Sequence, residues 1–275
     1  MVSRKVTTFA PAKVNLALHV IGQRADGYHL LDSLVMFADF GDHVTVTPSV
    51  VAGMSVIGPM AAGVPTDQSN LCFRAAVAFG ESVYIILDKH LPAGAGVGGG
   101  SSDAAAVLRA MSQLYGRPIA ADPVALGADV PVCLAASAAR MQGIGEVVTS
   151  FQMPNLQAVL VNPNLPIGTP HVFKALSKRN NPPMILPDRP LTETDAAIEW
   201  IKDQRNDMQE AAIQVQPVIN EVLSVLDACG SLCTRMSGSG ATCFGLYRDL
   251  DRADAAANAI RTERPNWWVQ AVTLS

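Results

Sequence analysis

The sequence predicts an α+β fold of two units that meet near residues 150–156. Its 275 residues suffice for one large domain or two ordinary ones. Short β-branched segments alternate with helix signals along both halves, and no internal repeat interrupts the pattern. We therefore expect a first domain over residues 1–153 and a second over residues 154–275.

Start and stop signals define the elements of the first half. Asn70 is a suitable N-cap for a helix that Gly80 ends, and Gly41 marks a turn between two strands. Val107, Met111 and Leu114 share one helix face. The predicted elements are strands at residues 14–20, with the apolar face on even positions, 34–40, 43–47 and 83–87, and helices at 70–79 and 103–114.

The second half shows the same kinds of signal. A loop rich in Pro and Asn follows its first strand, residues 180–190 form a proline-rich connection, and Pro217 suits the first turn of a helix. The predicted elements are strands at residues 157–161, 233–236, 242–247 and 267–274, and helices at 194–207, 217–228 and 251–264.

Composition excludes several classes of protein. Hydrophobic residues make up 49% and charged residues 16% of the chain, which excludes a disordered chain and a coiled coil. A net charge of -4 without a long basic run, together with 5% aromatic residues, argues against a nucleic-acid partner. We expect a small-molecule partner and a monomer or homodimer.

Cysteines and apolar segments bear on location. The five cysteines are odd in number and form no paired metal-binding clusters, which favours free thiols in a reducing cytoplasm. The N-terminal residues lack the apolar segment of a signal peptide. The longest uncharged segment, 44–66, contains three prolines and three glycines, so we expect strands and turns there rather than a membrane helix.

The most informative segment is Pro92–Ser102, here called the glycine loop. Five glycines lie within the seven positions 94–100, and a helix is predicted to begin directly afterwards, at Asp103. Glycines let backbone N–H groups turn toward a ligand, and a helix N-terminus favours phosphate. Ser101 and Ser102 could cap that helix, bind phosphate oxygens or hold a metal ion.

Two common nucleotide motifs fit the loop incompletely. Gly94, Gly96 and Gly99 match the G-x-G-x-x-G pattern of NAD-binding oxidoreductases, but residues 119–123 offer no second strand of a Rossmann unit. A Walker A motif needs Lys where Gly100 stands. A NAD-binding oxidoreductase and a catalytically silent nucleotide-binding module remain alternatives at this point.

Three sequence blocks resemble the GHMP kinases in the order of that superfamily. They are Ala10–Leu16, Pro92–Ala104 and Met236–Thr242. The resemblance implies the GHMP kinase fold: an N-terminal ribosomal-protein-S5-like domain, a C-terminal ferredoxin-like domain and an active site in the cleft. It also implies ATP and Mg²⁺ as cofactors.

Finer blocks narrow the resemblance to one family of the superfamily. Gly22–His29, Gly127–Pro131 and Gly143–Glu146 resemble the family that phosphorylates the 2-hydroxyl group of 4-diphosphocytidyl-2-C-methyl-D-erythritol in the non-mevalonate isoprenoid route. The implied partner is therefore a cytidylyl sugar-alcohol diphosphate. Another GHMP small-molecule kinase is the alternative within the same class.

The resemblance assigns roles residue by residue. It makes Asp129 the catalytic acidic residue, which accepts or orients the substrate hydroxyl, and puts Lys13 beside it. On the residues alone, Asp129 could be a helix cap and Lys13 an exposed side chain. ATP would be bound by the glycine loop, with Asn70 near adenine and Ser102 also contributing to Mg²⁺. The expected ATP-binding residues are Pro92, Ala93, Gly94, Ala95, Gly96, Val97, Gly98, Gly99, Gly100, Ser101, Ser102 and Asn70.

The same resemblance predicts the acceptor site. Tyr28 and Phe173 would be two walls of an aromatic sandwich for cytosine, with His29 also at the cytosine end. The expected substrate-binding residues are Asn15, Tyr28, His29, Thr169, Phe173, Gly238, Ser239 and Gly240.

Overall fold

The computed structural model describes residues 4–275, which form ten strands and nine helices. The strands are β1 (Val6–Gln23), β2 (His29–Pro48), β3 (Gly53–Ile57), β4 (Val83–Asp88), β5 (Ala139–Gly143), β6 (Val147–Ser150), β7 (Leu156–Asn162), β8 (Cys233–Met236), β9 (Cys243–Tyr247) and β10 (Trp268–Leu274). The helices are α1 (Leu71–Phe79), α2 (Gly99–Tyr115), α3 (Pro123–Leu126), α4 (Val130–Ala135), α5 (Thr169–Ala175), α6 (Thr194–Lys202), α7 (Gln209–Val215), α8 (Val218–Ala228) and α9 (Leu250–Glu263).

The first compact unit comprises the chain up to Ala12, Gly41–Ala93 and Gly98–Ala136. Within it, β4 pairs antiparallel with residues 43–48 of β2 and parallel with β3. Helices α1 and α2 pack against each other, and α2 also packs against α4. The unit therefore holds the second part of the glycine loop at the start of α2.

The second compact unit comprises Lys13–Phe40, Gly94–Val97 and Ser137–Ser275. Its main sheet runs β10–β7–β9–β8, all antiparallel, while β5 pairs with residues 31–35 of β2 and with β6. Helices α8 and α9 cover β7–β9 over a core that includes Val159, Ile219 and Ile260. The predicted linear boundary after residue 153 stays a prediction.

Two strand predictions were incomplete. Residues 34–47 were expected to form two strands around a turn at Gly41, but β2 runs unbroken through this position. A Cβ on Gly41 would lie 2.1 Å from the carbonyl oxygen of Ala10, so this glycine permits the close approach of β1 rather than a turn. Residues 10–20 of β1 are also buried on both faces, because Asn15 and His19 at odd positions are nearly as inaccessible as Leu16.

The start of α2 was predicted four residues too late. Its N-cap is Gly98 in the left-handed conformation, so Ser101 and Ser102 lie inside the first turn and cap nothing. The helix can begin earlier because Gly98, which has no Cβ, adopts a φ of +63° at little steric cost. In contrast, α1 has the expected Asn70 cap and Gly80 terminus.

The remaining differences concern short elements. The helix expected to reach residue 207 ends at Lys202, and β3, β5, β6, α3, α4, α5 and α7 had not been assigned individually. No helix within residues 4–275 is long and apolar enough to cross a membrane. The expectation about a signal segment involves residues 1–3, which lie outside the described range.

Candidate active site

The glycine loop is shaped by three glycines with positive φ. Gly94, Gly96 and Gly98 have φ angles of +62°, +75° and +63°. Helix α2 follows at Gly99, and no side chain caps its N-terminus. The first N–H groups of a helix have no intrahelical acceptor, and the positive end of the helix dipole is concentrated there. This part of the chain can therefore bind a phosphate group.

The loop formed by residues 237–240 touches the glycine loop within the second unit. Ser237 Oγ donates to Gly96 O at 2.8 Å and accepts a hydrogen bond from Asn15 N at 3.0 Å. A Cβ on Gly96 would lie 2.4 Å from Ser237 O, and one on Gly238 would lie 2.9 Å from Gly96 O. The glycines at both positions are therefore required by the contact between two backbones.

Backbone hydrogen bonds from β1 and from the residue before β9 also hold the glycine loop. Lys13 N on β1 donates to Val97 O at 2.9 Å, and Thr242 N donates to Ala95 O at 3.1 Å. Asn15 Nδ2 donates to Ser33 Oγ at 2.8 Å, while Asn15 Oδ1 is buried without a hydrogen-bond partner in the described chain. Asn15 thus has one oriented end and one unsatisfied acceptor.

A second group of expected acceptor residues lies near the 237–240 loop. Thr169 Oγ1 and Ser239 Oγ are 2.7 Å apart and share a hydrogen bond. Asn206 Nδ2 donates to Met236 O at 2.7 Å and to Gly238 O at 2.9 Å. These two bonds fix the backbone at the start of the loop. Sequence reasoning missed Asn206 and Ser237 as supporting residues. Ser237 stood inside a recognised motif, whereas nothing in the sequence marks Asn206.

The expected aromatic residues occur in a different combination. His29 stacks on Phe173, with ring centroids 4.4 Å apart and an interplanar angle of 15°. Tyr28 is 60% exposed. Burial lowers the pKa of His29, and the positive charge of Arg179 adds to that effect. A mainly neutral imidazole can both donate and accept hydrogen bonds.

Asp129 lies in the first unit at the start of α4. It occupies the N-cap position with φ of −87°, yet its side chain makes no capping hydrogen bond to the helix. The competing interpretation as a helix cap therefore lacks the hydrogen bond that defines it. Lys13, in the second unit, is 4% exposed, so it is not the exposed lysine that its residue type alone suggests.

Ser102 and Asn70 have contrasting surroundings. Ser102 is fully buried, and its Oγ has no hydrogen-bond partner in the described chain. Asn70 Oδ1 accepts from Cys72 N, and its Nδ2 donates to Pro65 O. The amide of Asn70 is thus engaged in capping α1, while the hydroxyl of Ser102 has unused hydrogen-bonding capacity.

The structure groups the expected residues by unit. Asn15, Gly94–Val97, Gly238 and Ser239 meet in the second unit, whereas Ser101, Ser102 and Asp129 belong to the first. The NAD alternative lacks its structural context, because α2 is followed by an irregular segment and α3 rather than by a second strand. Within residues 4–275, no cluster of three or more His, Cys, Asp or Glu side chains could hold a metal ion.

Comparison with protein families gives two matches. The family described as GHMP kinases N terminal domain matches residues 70–148, and the one described as GHMP kinases C terminal matches residues 191–266. The predicted α+β GHMP kinase fold is therefore confirmed.

Individual relatives are similar over nearly the whole chain. A 4-diphosphocytidyl-2-C-methyl-D-erythritol kinase of Dinoroseobacter shibae is 52% identical, covering 99% of this chain and 96% of the relative. The kinase of the same name from Paracoccus denitrificans is 48% identical, covering 97% of this chain and 96% of the relative.

Solved structures agree with this similarity. A crystal structure of 4-(cytidine 5'-diphospho)-2C-methyl-D-erythritol kinase has a TM-score of 0.77 and 36% identity, covering 98% of this chain and 99% of the other. Homoserine kinase from Cytophaga hutchinsonii has a TM-score of 0.67 at 18% identity, covering 100% of this chain and 96% of the other, and is similar in fold alone.

Proposed function

The chain belongs to the 4-diphosphocytidyl-2-C-methyl-D-erythritol kinase family of the GHMP kinases, and on this premise we propose how its residues divide the work of phosphoryl transfer. It is an ATP-dependent small-molecule kinase that phosphorylates the 2-hydroxyl group of 4-diphosphocytidyl-2-C-methyl-D-erythritol in isoprenoid biosynthesis. The products are the 2-phosphate and ADP.

The glycine loop binds the phosphates of ATP in this proposal. The observation that carries it is the uncapped start of α2 directly after three glycines with positive φ. Such a segment presents N–H groups to an anion without the steric barrier of side chains. Pro92 and Ala93 begin the loop, and Asn70 lies near adenine in the proposed arrangement while it also caps α1.

Mg²⁺ is proposed to join the nucleotide at Ser102. The buried Ser102 Oγ without a partner fits a role as an oxygen ligand. Mg²⁺ commonly takes one or two protein oxygens and completes its shell with phosphates and water, so it needs no protein cage. Bound Mg²⁺ would neutralise charge on the phosphates.

Asp129 and Lys13 are the proposed catalytic residues. The Asp129 carboxylate accepts or orients the proton of the acceptor hydroxyl, as a positioned general base does. The ammonium of Lys13 stabilises the negative charge on the transferring phosphoryl group. The absence of a capping bond from Asp129 supports a role other than helix capping.

The acceptor is proposed to bind through polar and aromatic groups of the second unit. Asn15, with its unsatisfied Oδ1, binds the methylerythritol part, and Thr169 and Ser239 contact it together with the backbone of Gly238 and Gly240. Tyr28 and Phe173 stack on cytosine, and His29 binds at the same end. These interactions make the cytidylyl group a condition for tight binding.

A coupled assay of ADP release with a panel of acceptors tests the reaction. Only the cytidylyl acceptor should give full turnover, with phosphorus NMR showing a new phosphate ester at the 2-position. Methylerythritol phosphate without the cytidylyl group should be a poor acceptor. Equal use of both compounds would contradict the assignment of the acceptor, and thermal stabilisation by NAD but not by Mg-ATP would contradict the assignment of the nucleotide.

Location and assembly complete the proposal. A reducing cytoplasmic location is supported by five cysteines that are all free thiols. The net charge of -4 supports a small molecule rather than a nucleic acid as partner. We propose a monomer or homodimer, which sedimentation at several protein concentrations would distinguish.

A further inference from the structure

A buried ion cluster lies in the first unit, outside every role assigned above. It consists of Asp42 on β2, Lys89 directly after β4, and Asp103 on α2, and is here called the Lys89 cluster. Lys89 Nζ donates to Asp42 Oδ2 at 2.5 Å and to Asp103 Oδ2 at 2.7 Å. The three residues are at most 3% exposed. Charges this deeply buried are costly unless they are paired, so the cluster is a specific feature of the fold.

The Lys89 cluster joins the two ends of the glycine loop. Asp42 Oδ1 accepts from His90 N at 2.5 Å and from Leu91 N at 2.8 Å, just before the loop begins at Pro92. Asp103 is the first residue after the loop and the fifth residue of α2. The ammonium group of Lys89 therefore links the segment that precedes the loop to helix α2, which follows the loop. The link to the preceding segment runs through Asp42.

Lys89 also lies directly against the first residue of α2. A Cβ on Gly99 would be 3.2 Å from Lys89 Nζ. Asp103 contributes one oxygen to the cluster, and its Oδ1 is buried without a hydrogen-bond partner in the described chain. Removing the Asp103 carboxylate would thus cut the link to α2 and leave the Lys89–Asp42 pair intact and electrically balanced.

We propose that the Lys89 cluster is a positioning device that holds the glycine loop and the start of α2 in the geometry that receives the phosphates of ATP. The proposal rests on the function proposed above for this loop. An ammonium with two ionised carboxylates would carry a net negative charge and repel phosphate. Burial raises the pKa of Asp103, so the cluster retains a proton and approaches neutrality.

The expected effect is on ATP and not on the acceptor. If losing the link leaves the binding-competent loop populated only about a tenth of the time, the apparent Kd for ATP rises about 10-fold. Asp103→Ala should therefore raise both Kd and KM for ATP by about that factor and leave the acceptor KM unchanged. Asp103→Asn keeps an oxygen that can accept from Lys89 and should restore ATP binding to within about 3-fold of wild type by the same relation.

The experiment measures ATP Kd by equilibrium binding, KM for both substrates and the melting temperature. Leu114→Ala is the matched control: it removes a buried side chain from the last turn of the same helix, roughly 22 Å from Gly99 along the helix axis. It should lower Tm and leave ATP Kd unchanged. If Asp103→Ala does not fold, Asp103→Ser takes its place with the same expectations.

The outcomes separate this proposal from the one on which it rests. Gly94→Ala adds a methyl group to the loop itself, where a Cβ meets no atom within 4 Å, and should weaken ATP binding if the loop holds phosphate. ATP binding weakened by Gly94→Ala but unchanged in Asp103→Ala would overturn the positioning role alone. Equal weakening by Leu114→Ala and Asp103→Ala would overturn it as well, since the effect would then follow stability. Wild-type binding in Gly94→Ala and Asp103→Ala would count against the proposed ATP site itself.

Discussion

His29 and Phe173 stack on each other, although 144 positions separate them in the sequence and their ring centroids are only 4.4 Å apart. Rings in direct contact leave no space for a base between them. If cytosine stacks on Phe173 as proposed, it has to use the face of the ring that His29 does not cover, or displace His29. The first arrangement agrees with the proposed sandwich of Tyr28 and Phe173, in which His29 supports Phe173 from behind.

We expect Phe173→Ala to raise the acceptor KM by about 10- to 100-fold, because base stacking on an aromatic ring contributes ~1–3 kcal/mol. The KM for ATP should barely change. Tyr28→Ala should have a similar effect on the acceptor. Loss of the stacked ring should also expose His29 and raise its lowered pKa, which an NMR titration of the imidazole would detect. An unchanged acceptor KM in both variants would contradict the sandwich.

Asp129→Asn should lower kcat by ~10²–10⁴, the usual contribution of a positioned general base. ATP binding should survive, because the glycine loop is untouched. The substitution removes no cap from α4, because the Asp129 side chain makes no capping bond, and the melting temperature shows whether the variant is folded. Steady-state kinetics and thermal unfolding of the same preparation check both expectations; near-normal turnover would make Asp129 a structural residue.

Gly96→Ala and Gly94→Ala form a matched pair for the contact between the glycine loop and the 237–240 loop. Both positions have positive φ, so alanine is strained at each. Only at Gly96 would the new Cβ also meet backbone, 2.4 Å from Ser237 O, whereas at Gly94 it would meet no atom within 4 Å. We expect Gly96→Ala to lower the free energy of unfolding by clearly more than Gly94→Ala in urea titrations. Equal losses would mean that backbone strain alone explains the need for glycine.

Stability should depend on pH through Asp103. Burial raises the pKa of this carboxyl to about 8, with Lys89 opposing the shift and Asp42 adding to it, and the buried Cys72 thiol nearby stays neutral. Between about pH 4 and pH 8 the folded state keeps a proton that the unfolded state releases, so this group's contribution to the free energy of unfolding falls as pH rises. Asp103→Asn should remove the part of the fall in the free energy of unfolding between about pH 4 and pH 8 that comes from this carboxyl.

Urea unfolding of wild type and Asp103→Asn at pH 5 and pH 8 gives the measurement. Wild type should lose stability relative to the variant on going to the higher pH. Asp254→Asn, an exposed substitution on α9, is the control and should keep a constant difference from wild type. A difference between wild type and Asp103→Asn that stays the same at pH 5 and pH 8 would contradict the raised pKa of Asp103, because a carboxyl that is ionised in both the folded and the unfolded state takes up no proton on folding.

The sequence alone determined the features that depend on neighbours in the chain. The cap of α1 at Asn70 and its end at Gly80 involve residues within one helical turn, so their side-chain and backbone preferences suffice. The glycine loop and the blocks around Lys13 and Met236 likewise lie in short continuous segments, and these segments made the family recognisable. The family assignment is confirmed by a relative that is 52% identical. The roles of the individual site residues stay predictions.

Only the tertiary structure decided which distant residues meet. The sequence predicted a turn at Gly41, but glycine is needed there because the backbone of β1 comes close to it. Ser237 Oγ accepts a hydrogen bond from Asn15 N, although 222 positions separate the two residues. The Lys89 cluster joins residues 47 and 14 positions apart. Such contacts leave little trace in the sequence, because any Asp or Lys is compatible with an exposed position. Burial alone makes their pairing obligatory, and burial is a property of the folded chain.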